Sequence, residues 1–201
     1  MRYAIINGGL MKVIAFNGSS RKNGNTAILI RHVMAELEGH NIKTEMVQLA
    51  GKKIKGCTAC YKCIIHKNKR CAIENDILNA CLVKMIEADG IIIGSPTYFA
   101  DITPETKALI DRCGFVARQN GDFLKYKVGA AVIAARRGGA IHAFDSINHF
   151  FLINQMMVPG SVYWNVGIGR NIGDVESDKE GIKTMKVLGQ NIAWLLKKIR
   201  P

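Results

Sequence analysis

The stretch GCTACYKCIIHKNKRC, residues 56–71, places Cys57, Cys60, Cys63 and Cys71 within sixteen residues. Thiolates are metal ligands and redox groups, and in a reducing compartment clustered cysteines serve those purposes more often than they form disulfides. The spacing narrows the chemistry. A catalytic dithiol needs one C-x-x-C, and tetrahedral zinc usually takes C-x2-C pairs set well apart. Iron–sulfur clusters are held by thiolates, and C-x2-C-x2-C brings three of them round one corner of a cube. Lys55, Lys62, Lys67, Lys69 and Arg70 lie in or beside the stretch, where they can offset the negative charge of such a centre and attract an acidic partner.

Three further stretches follow short apolar runs. NGSSRKNGNTA, from Asn17 to Ala27, is rich in hydroxyls, amides and glycine and runs into a helical pattern. Free backbone N–H groups and the helix dipole favour a phosphate at such a place. Ser19, Ser20, Asn25 and Thr26 can add hydrogen bonds, and Arg21 can add charge. A polar turn with a helix cap is the plainer alternative. The stretch has neither the Gly-Lys-Ser/Thr of an ATP loop nor G-x-G-x-x-G. In GSPTYFADITPETKALIDR, Tyr98 and Phe99 can wall a flat ring, or can pack under the next helix. In AARRGGAI, Arg136 and Arg137 stand beside Gly138 and Gly139, which permit close backbone approach to a ligand or a tight turn.

These loops need a scaffold. KVIAFN (12–17), GIIIG (90–94) and KVGAAVIAA (127–135) are continuous apolar runs, as in buried parallel strands, and KTEMVQL (43–49) alternates as a strand does. Helical periodicity appears over 26–37, 75–88, 103–112, 142–156 and 180–199. Asn75 or Asp76 can cap the second of these, and Thr103-Pro104 makes a cap and first-turn pair. VPGSVYW (158–164) reads as an edge strand, where Pro159 is tolerated, and residues 165–178 read as irregular. Cys81 falls at helical spacing with Ile77, Leu78, Leu82 and Met85, so it and Cys113 read as packing residues. Strands alternating with helices predict an α/β fold with a parallel sheet, and ligands then bind at the carboxyl ends of its strands.

At 201 residues a single domain over 1–201 is expected, with 1–11 as a possible extension and 55–74 as the cysteine loop. MRYAIINGGL is too short and too broken by glycine for a secretory signal. No apolar run approaches the roughly 20 residues that span a bilayer. The expected location is the cytoplasm, with no membrane partner. A net charge of +12 favours an anionic ligand or partner. The basic residues are spread along the chain and aromatics are 7%, so a basic surface without nucleic acid is the expectation.

Taken together, NGSSRKNGNT, GSPTYFADITPETKALIDR and AARRGG resemble the flavodoxin-like NADPH-dependent FMN reductases, from Lys12 onward. With the cysteine run, the chain resembles the iron-sulfur flavoproteins of that family. The resemblance implies a three-layer sandwich with a five-stranded parallel sheet of order 2-1-3-4-5. It implies that Ser19, Arg21, Asn25 and Thr26 bind the FMN phosphate. Pro96, Thr97, Tyr98 and Phe99 would hold the isoalloxazine ring, and Ala135, Arg136 and Gly139 would close the third side. Cys57, Cys60, Cys63 and Cys71 would ligate a [4Fe-4S] cluster. The family's motif is of the C-x2-C-x2-C-x5-C type, whereas here seven residues separate Cys63 from Cys71.

The implied function is an FMN-dependent oxidoreductase that takes electrons from an acidic carrier such as ferredoxin to a small acceptor, as a homodimer or homotetramer. Two alternatives stand beside it. One is a plain NAD(P)H-dependent FMN or quinone reductase without a cluster. The other is a basic nucleic-acid-binding or regulatory protein.

The resemblance begins after Met11, so the preceding ten residues are expected to be dispensable. A chain beginning at Met11 should retain its flavin and melt within a few degrees of the full chain. Loss of folding in that chain would place MRYAIINGGL in the sheet or at an interface.

Overall fold

The computed structural model describes residues 10–199, so the first nine residues of the possible extension lie outside the described residues. Five strands form one parallel sheet: β1 Lys12–Asn17, β2 Lys43–Gln48, β3 Gly90–Pro96, β4 Val128–Ala135 and β5 Val166–Ile168. The order is β2-β1-β3-β4-β5, as expected. The helices are α1 Asn25–Gly39, α2 Lys62–His66, α3 Leu78–Glu87, α4 Pro104–Gln119, α5 Ala140–Ile153 and α6 Lys179–Ile199, with a 3-10 turn at Asp174–Ser177.

Successive side chains of a strand point to opposite faces, and the apolar runs therefore feed two cores. Ile14, Phe16, Ile91, Ile93 and Ile133 pack with Leu82 of α3, Leu109 of α4 and Phe151 of α5. Val13, Ala15, Ile92 and Val132 pack with Leu29 and Val33 of α1 and with Leu188 and Ile192 of α6. Helices on both faces make the central strands apolar throughout, which is why periodicity there is continuous and not alternating.

Three boundaries differ from the sequence reading. The edge strand is Val166–Ile168, inside the stretch read as irregular, and it pairs with Ile133–Ala135. Residues 158–164 form no strand, and Val162, Tyr163 and Trp164 stand exposed. The glycines in VGIGRNIG hide β5, yet Gly167 is needed: a Cβ there would lie 2.6 Å from Leu29 Cδ2 and 2.7 Å from Val175 Cγ2. Helix α4 continues past 112 to Gln119, because Gly114 is where Phe150 of α5 packs against the helix, 3.1 Å from a would-be Cβ. Helix α3 starts at Leu78; Asp76 Oδ1 accepts from Leu78 N at 3.1 Å, while the cap position itself falls on Ile77.

Thr103 caps α4 by accepting from Thr106 N at 3.3 Å, and its hydroxyl also donates to Gly18 O at 2.9 Å. No helix among the described residues is long and apolar enough to cross a membrane. Thr103→Ala removes both bonds at a buried position. It should cost about 1–2 kcal/mol, read as a lower urea midpoint with an unchanged m value.

Candidate functional site

The carboxyl ends of β1, β3 and β4 meet at one cleft. Gly18 N donates to Gly94 O at 2.8 Å, which ties the β1–α1 loop to the end of β3. The contact is close: a Cβ on Gly18 would sit 1.9 Å from Thr106 Oγ1. The loop is then shaped by its own polar groups. Asn17 Oδ1 accepts from Ser19 N at 3.1 Å, Ser19 Oγ accepts from Arg21 N at 3.1 Å, and Gln48 Nε2 donates to Ser19 O at 2.6 Å.

Helix α1 begins without a side-chain cap and without an acidic residue in its first turn, so its leading N–H groups face the cleft with the positive end of the dipole. Ser19, Arg21, Asn25, Thr26, Pro96, Thr97, Tyr98 and Arg136 line this cleft of about 160 Å³. Thr26 Oγ1 and Thr97 Oγ1 are buried and have no hydrogen-bond partner in the protein. Buried hydroxyls are ordinarily satisfied, so two orphans at one cleft fit a polar ligand that supplies their partners. Three arginines, Arg21, Arg136 and Arg170, and an uncapped helix end set its sign as negative.

The turn at Tyr98–Asp101 carries the aromatic pair. Tyr98 N donates to Asp101 O at 2.7 Å and Asp101 N to Tyr98 O at 3.0 Å. Its two central residues, Phe99 and Ala100, hold φ of 47° and 63°. Non-glycine residues in this left-handed region are strained, and such strain gathers at binding loops. Tyr98 Oη bonds Ser20 Oγ at 2.9 Å across the cleft mouth. Phe99 stands outside the cleft, fully exposed.

Gly139, at φ 82°, supports the turn from below: a Cβ there would lie 2.7 Å from Ala100 Cα. Asp101 accepts from Ser146 Oγ at 2.7 Å and from Ile102 N at 2.7 Å. Burial pushes its carboxyl up, but these donors and nearby His142 and Lys107 outweigh it, and the carboxyl lies below the ordinary range. Of the expected third wall, Arg136 lines the cleft, whereas Ala134 lines it in place of Ala135, whose carbonyl accepts from Gly169 N at 2.9 Å.

Sequence reasoning missed the fourth side. Gly169 and Arg170 line the cleft, Arg21 Nη1 donates to Arg170 O at 3.1 Å, and Asn25 Nδ2 donates to Asn171 O at 2.8 Å. The signal available was the glycine pattern of VGIGRNIG after a short apolar triplet.

The cysteine stretch folds against α4, on the sheet face that carries α3 and α5. Cys57, Cys60, Cys63 and Cys71 line one pocket, with Arg112, Phe115 and Val116 of α4 as its floor. Left-handed backbone at Ala59 and Tyr61, φ 50° and 55°, turns the chain between the first three cysteines. Tyr61 also packs edge-on to Phe115, with ring centroids 6.1 Å apart. Helix α2 then carries Cys63, and left-handed Lys67 and Lys69 turn the chain back.

Asn79 secures Cys71 at both backbone groups: its Oδ1 accepts from Cys71 N at 2.8 Å and its Nδ2 donates to Cys71 O at 2.9 Å. The seven-residue gap after Cys63 is thus closed by a defined clamp. The backbone N–H of Lys62 lowers the Cys60 thiol, helped by the Thr58 side chain. Burial raises the Cys63 thiol, and the charge of Cys71, Cys60 and Cys57 raises it further. The thiols of the stretch thus sense one another's charge across the pocket. By contrast, burial pushes Cys81 up to about 11 and Cys113 well above the ordinary value, which keeps both neutral packing groups, as read.

A doubly wound 2-1-3-4-5 sheet with a polar, anion-favouring cleft at the end of β1 and β3 defines a flavodoxin-like fold, which binds its ligands at this switch point. Comparison with known proteins agrees and narrows the class. Residues 11–171 match the family model described as NADPH-dependent FMN reductase. An iron-sulfur flavoprotein of Methanocaldococcus jannaschii is 38% identical over 197 residues, covering 94% of this chain and all of the relative. An iron-sulfur flavoprotein of Methanosarcina thermophila is 31% identical over 192 residues, covering 94% and 97%. Among solved structures, RosB with bound 8-demethyl-8-formylriboflavin-5'-phosphate aligns with a TM-score of 0.76 at 19% identity, over 94% of this chain and 80% of its own; at that identity the likeness is one of fold. The chain belongs to the NADPH-dependent FMN reductase family of flavin-dependent oxidoreductases, and within it to the iron-sulfur flavoproteins.

Proposed function

We propose that this protein carries FMN in the strand-end cleft and a [4Fe-4S] cluster on Cys57, Cys60, Cys63 and Cys71, and moves electrons from an acidic carrier such as ferredoxin to a small-molecule acceptor. The observation that carries the reading is the convergence of all four cysteines on one pocket despite the long gap before Cys71. When bound, the flavin exchanges one or two electrons and the cluster exchanges them singly, which suits a junction between one-electron and two-electron chemistry.

The chain's own residues supply position and field. In this reading the first turn of α1, Ser19, Asn25 and Thr26 donate to the phosphate, and Arg21 adds charge. Pro96, Thr97 and Tyr98 line the ring side of the cleft, and Arg136 stands opposite. Gly139 fixes the height of the turn that bears Phe99. Phe99, exposed on a strained turn, is placed to cover the outer edge of the ring or to meet a second copy in a homodimer or homotetramer. The exposed Cys60 and its neighbouring Lys62 suit approach by an acidic donor. NAD(P)H remains a candidate donor through the family's own chemistry. A net charge of +12 supports both an acidic partner and a phosphorylated cofactor.

Two measurements test the two centres separately. Ser19→Asp with Arg21→Glu places negative charge in the phosphate subsite and should weaken FMN affinity at least tenfold in a fluorescence titration; unchanged affinity sinks the subsite.

For the cluster, anaerobically prepared wild type should contain iron and acid-labile sulfide with FMN. Ala at Cys57, Cys60 or Cys63 should abolish iron while FMN stays bound. Cys71→Ala should leave at most an unstable cluster. Stoichiometric FMN without iron, even after reconstitution, would leave a plain NAD(P)H-dependent reductase.

A further inference from the structure

Arg112 is 1% exposed, and the side chain of Asp76 is fully buried beside it. A buried ion pair is a weak source of stability, since desolvation offsets most of its attraction. Arg112 Nε has no partner, but the two terminal nitrogens and the carboxylate are well held. Asp76 Oδ2 accepts from Arg112 Nη1 and from Lys55 N at 3.0 Å. Arg112 Nη1 donates to Lys55 O at 2.9 Å, and Nη2 to Ile73 O at 3.2 Å. Those partners are enough to brace the loop. The remaining contact needs another reason: Arg112 Nη2 also donates to Cys71 Sγ at 3.2 Å.

On the reading that Cys71 ligates a cluster, we infer that Arg112 is a positioning residue for that sulfur, and that with Asp76 it sets the reduction potential of the cluster. The guanidinium aims a charge-assisted donor at the fourth ligand, the one that the sequence spacing leaves furthest from the other three. Hydrogen bonds to ligand sulfur and nearby net charge are two of the levers by which a protein tunes such centres. Adding an electron makes a thiolate-ligated cluster more negative, so a cation at the sulfur favours the reduced state and raises the potential. Asp76 does the reverse at slightly greater remove, because its carboxylate meets Arg112 and not Cys71. The two residues therefore act with opposite sign on the same centre while bracing the same loop.

That opposition separates tuning from bracing. Arg112→Gln should shift the cluster potential to more negative values in a spectroelectrochemical titration, and Asp76→Asn should shift it to more positive values. Arg112→Lys, which keeps the charge and loses the fork, should lie between wild type and Arg112→Gln. FMN content and melting temperature serve as the controls for folding. Potentials that do not move, or that move in the same direction in Arg112→Gln and Asp76→Asn, overturn the inference. So does loss of both iron and FMN in both variants, which would make the pair a brace of the fold. Wild type that holds FMN and no iron removes the cluster reading and this inference with it. Wild type with iron and unmoved variants removes the inference alone.

Discussion

The point on which the rest depends is the seam between β1 and β3. The crossover from β1 runs by α1 to β2 on one side, and the chain returns across β1 to place β3 on the other. Both strands therefore end beside each other while their loops part toward opposite faces, and a cleft opens at their carboxyl ends. The bond from Gly18 N to Gly94 O spans this seam. A side chain at Gly18 would meet the Thr106 hydroxyl, so backbone alone can occupy the place. Every group of the cleft is positioned from here: the uncapped start of α1, the strained Tyr98–Asp101 turn that leaves β3, and Arg136 beyond β4.

The cysteine stretch obeys a different constraint. It has little regular structure, and a loop so poor in backbone ladder bonds holds its shape through side chains. Asn79 takes both backbone groups of Cys71, Asp76 takes the N–H of Lys55, and Arg112 takes the carbonyls of Lys55 and Ile73. Five polar side-chain contacts from α3, α4 and the residues before α3 thus do what a longer strand or helix would do elsewhere. The strain at Ala59, Tyr61, Lys67 and Lys69 marks the turns that this bracing must sustain.

These two constraints explain what could be read from the sequence. The parallel sheet was legible because the apolar runs at 12–17, 90–94 and 127–135 are continuous and separated by helical periods, whereas the strand order rested on the family resemblance. The β1–α1 wall of the cleft was legible because its residues are local: hydroxyls, amides and a helix start adjoin in the chain. The fourth wall was not, because Gly169 and Arg170 reach the cleft through a three-residue strand broken by glycines. The edge strand was misplaced for the same reason, since VPGSVYW carries the β-formers and VGI carries the pairing. Arg112 escaped notice although it sits on the apolar stripe with Leu109, Cys113 and Val116, and a charge at such a position is a sign of a buried partner. The partner, Asp76, lies 36 residues away, and no local pattern connects them.

Helix α4 is what joins the two sites into one unit. Its cap residue Thr103 donates to Gly18 O, and Thr106 meets the Thr103 hydroxyl at 2.9 Å, so its first turn holds the cleft. Nine positions on, at a rise of about 1.5 Å per residue or about 13 Å along the axis, Arg112 holds Cys71. The helix is pinned between these points by close packing of Gly114 on Phe150 and by buried Leu109, Ile110, Cys113, Val116 and Ala117. A displacement of α4 along its axis would therefore disturb the β1–α1 loop and the cysteine clamp together. The cleft and the cysteine pocket share no lining residue, and α4 gives them a fixed separation without giving them a common wall.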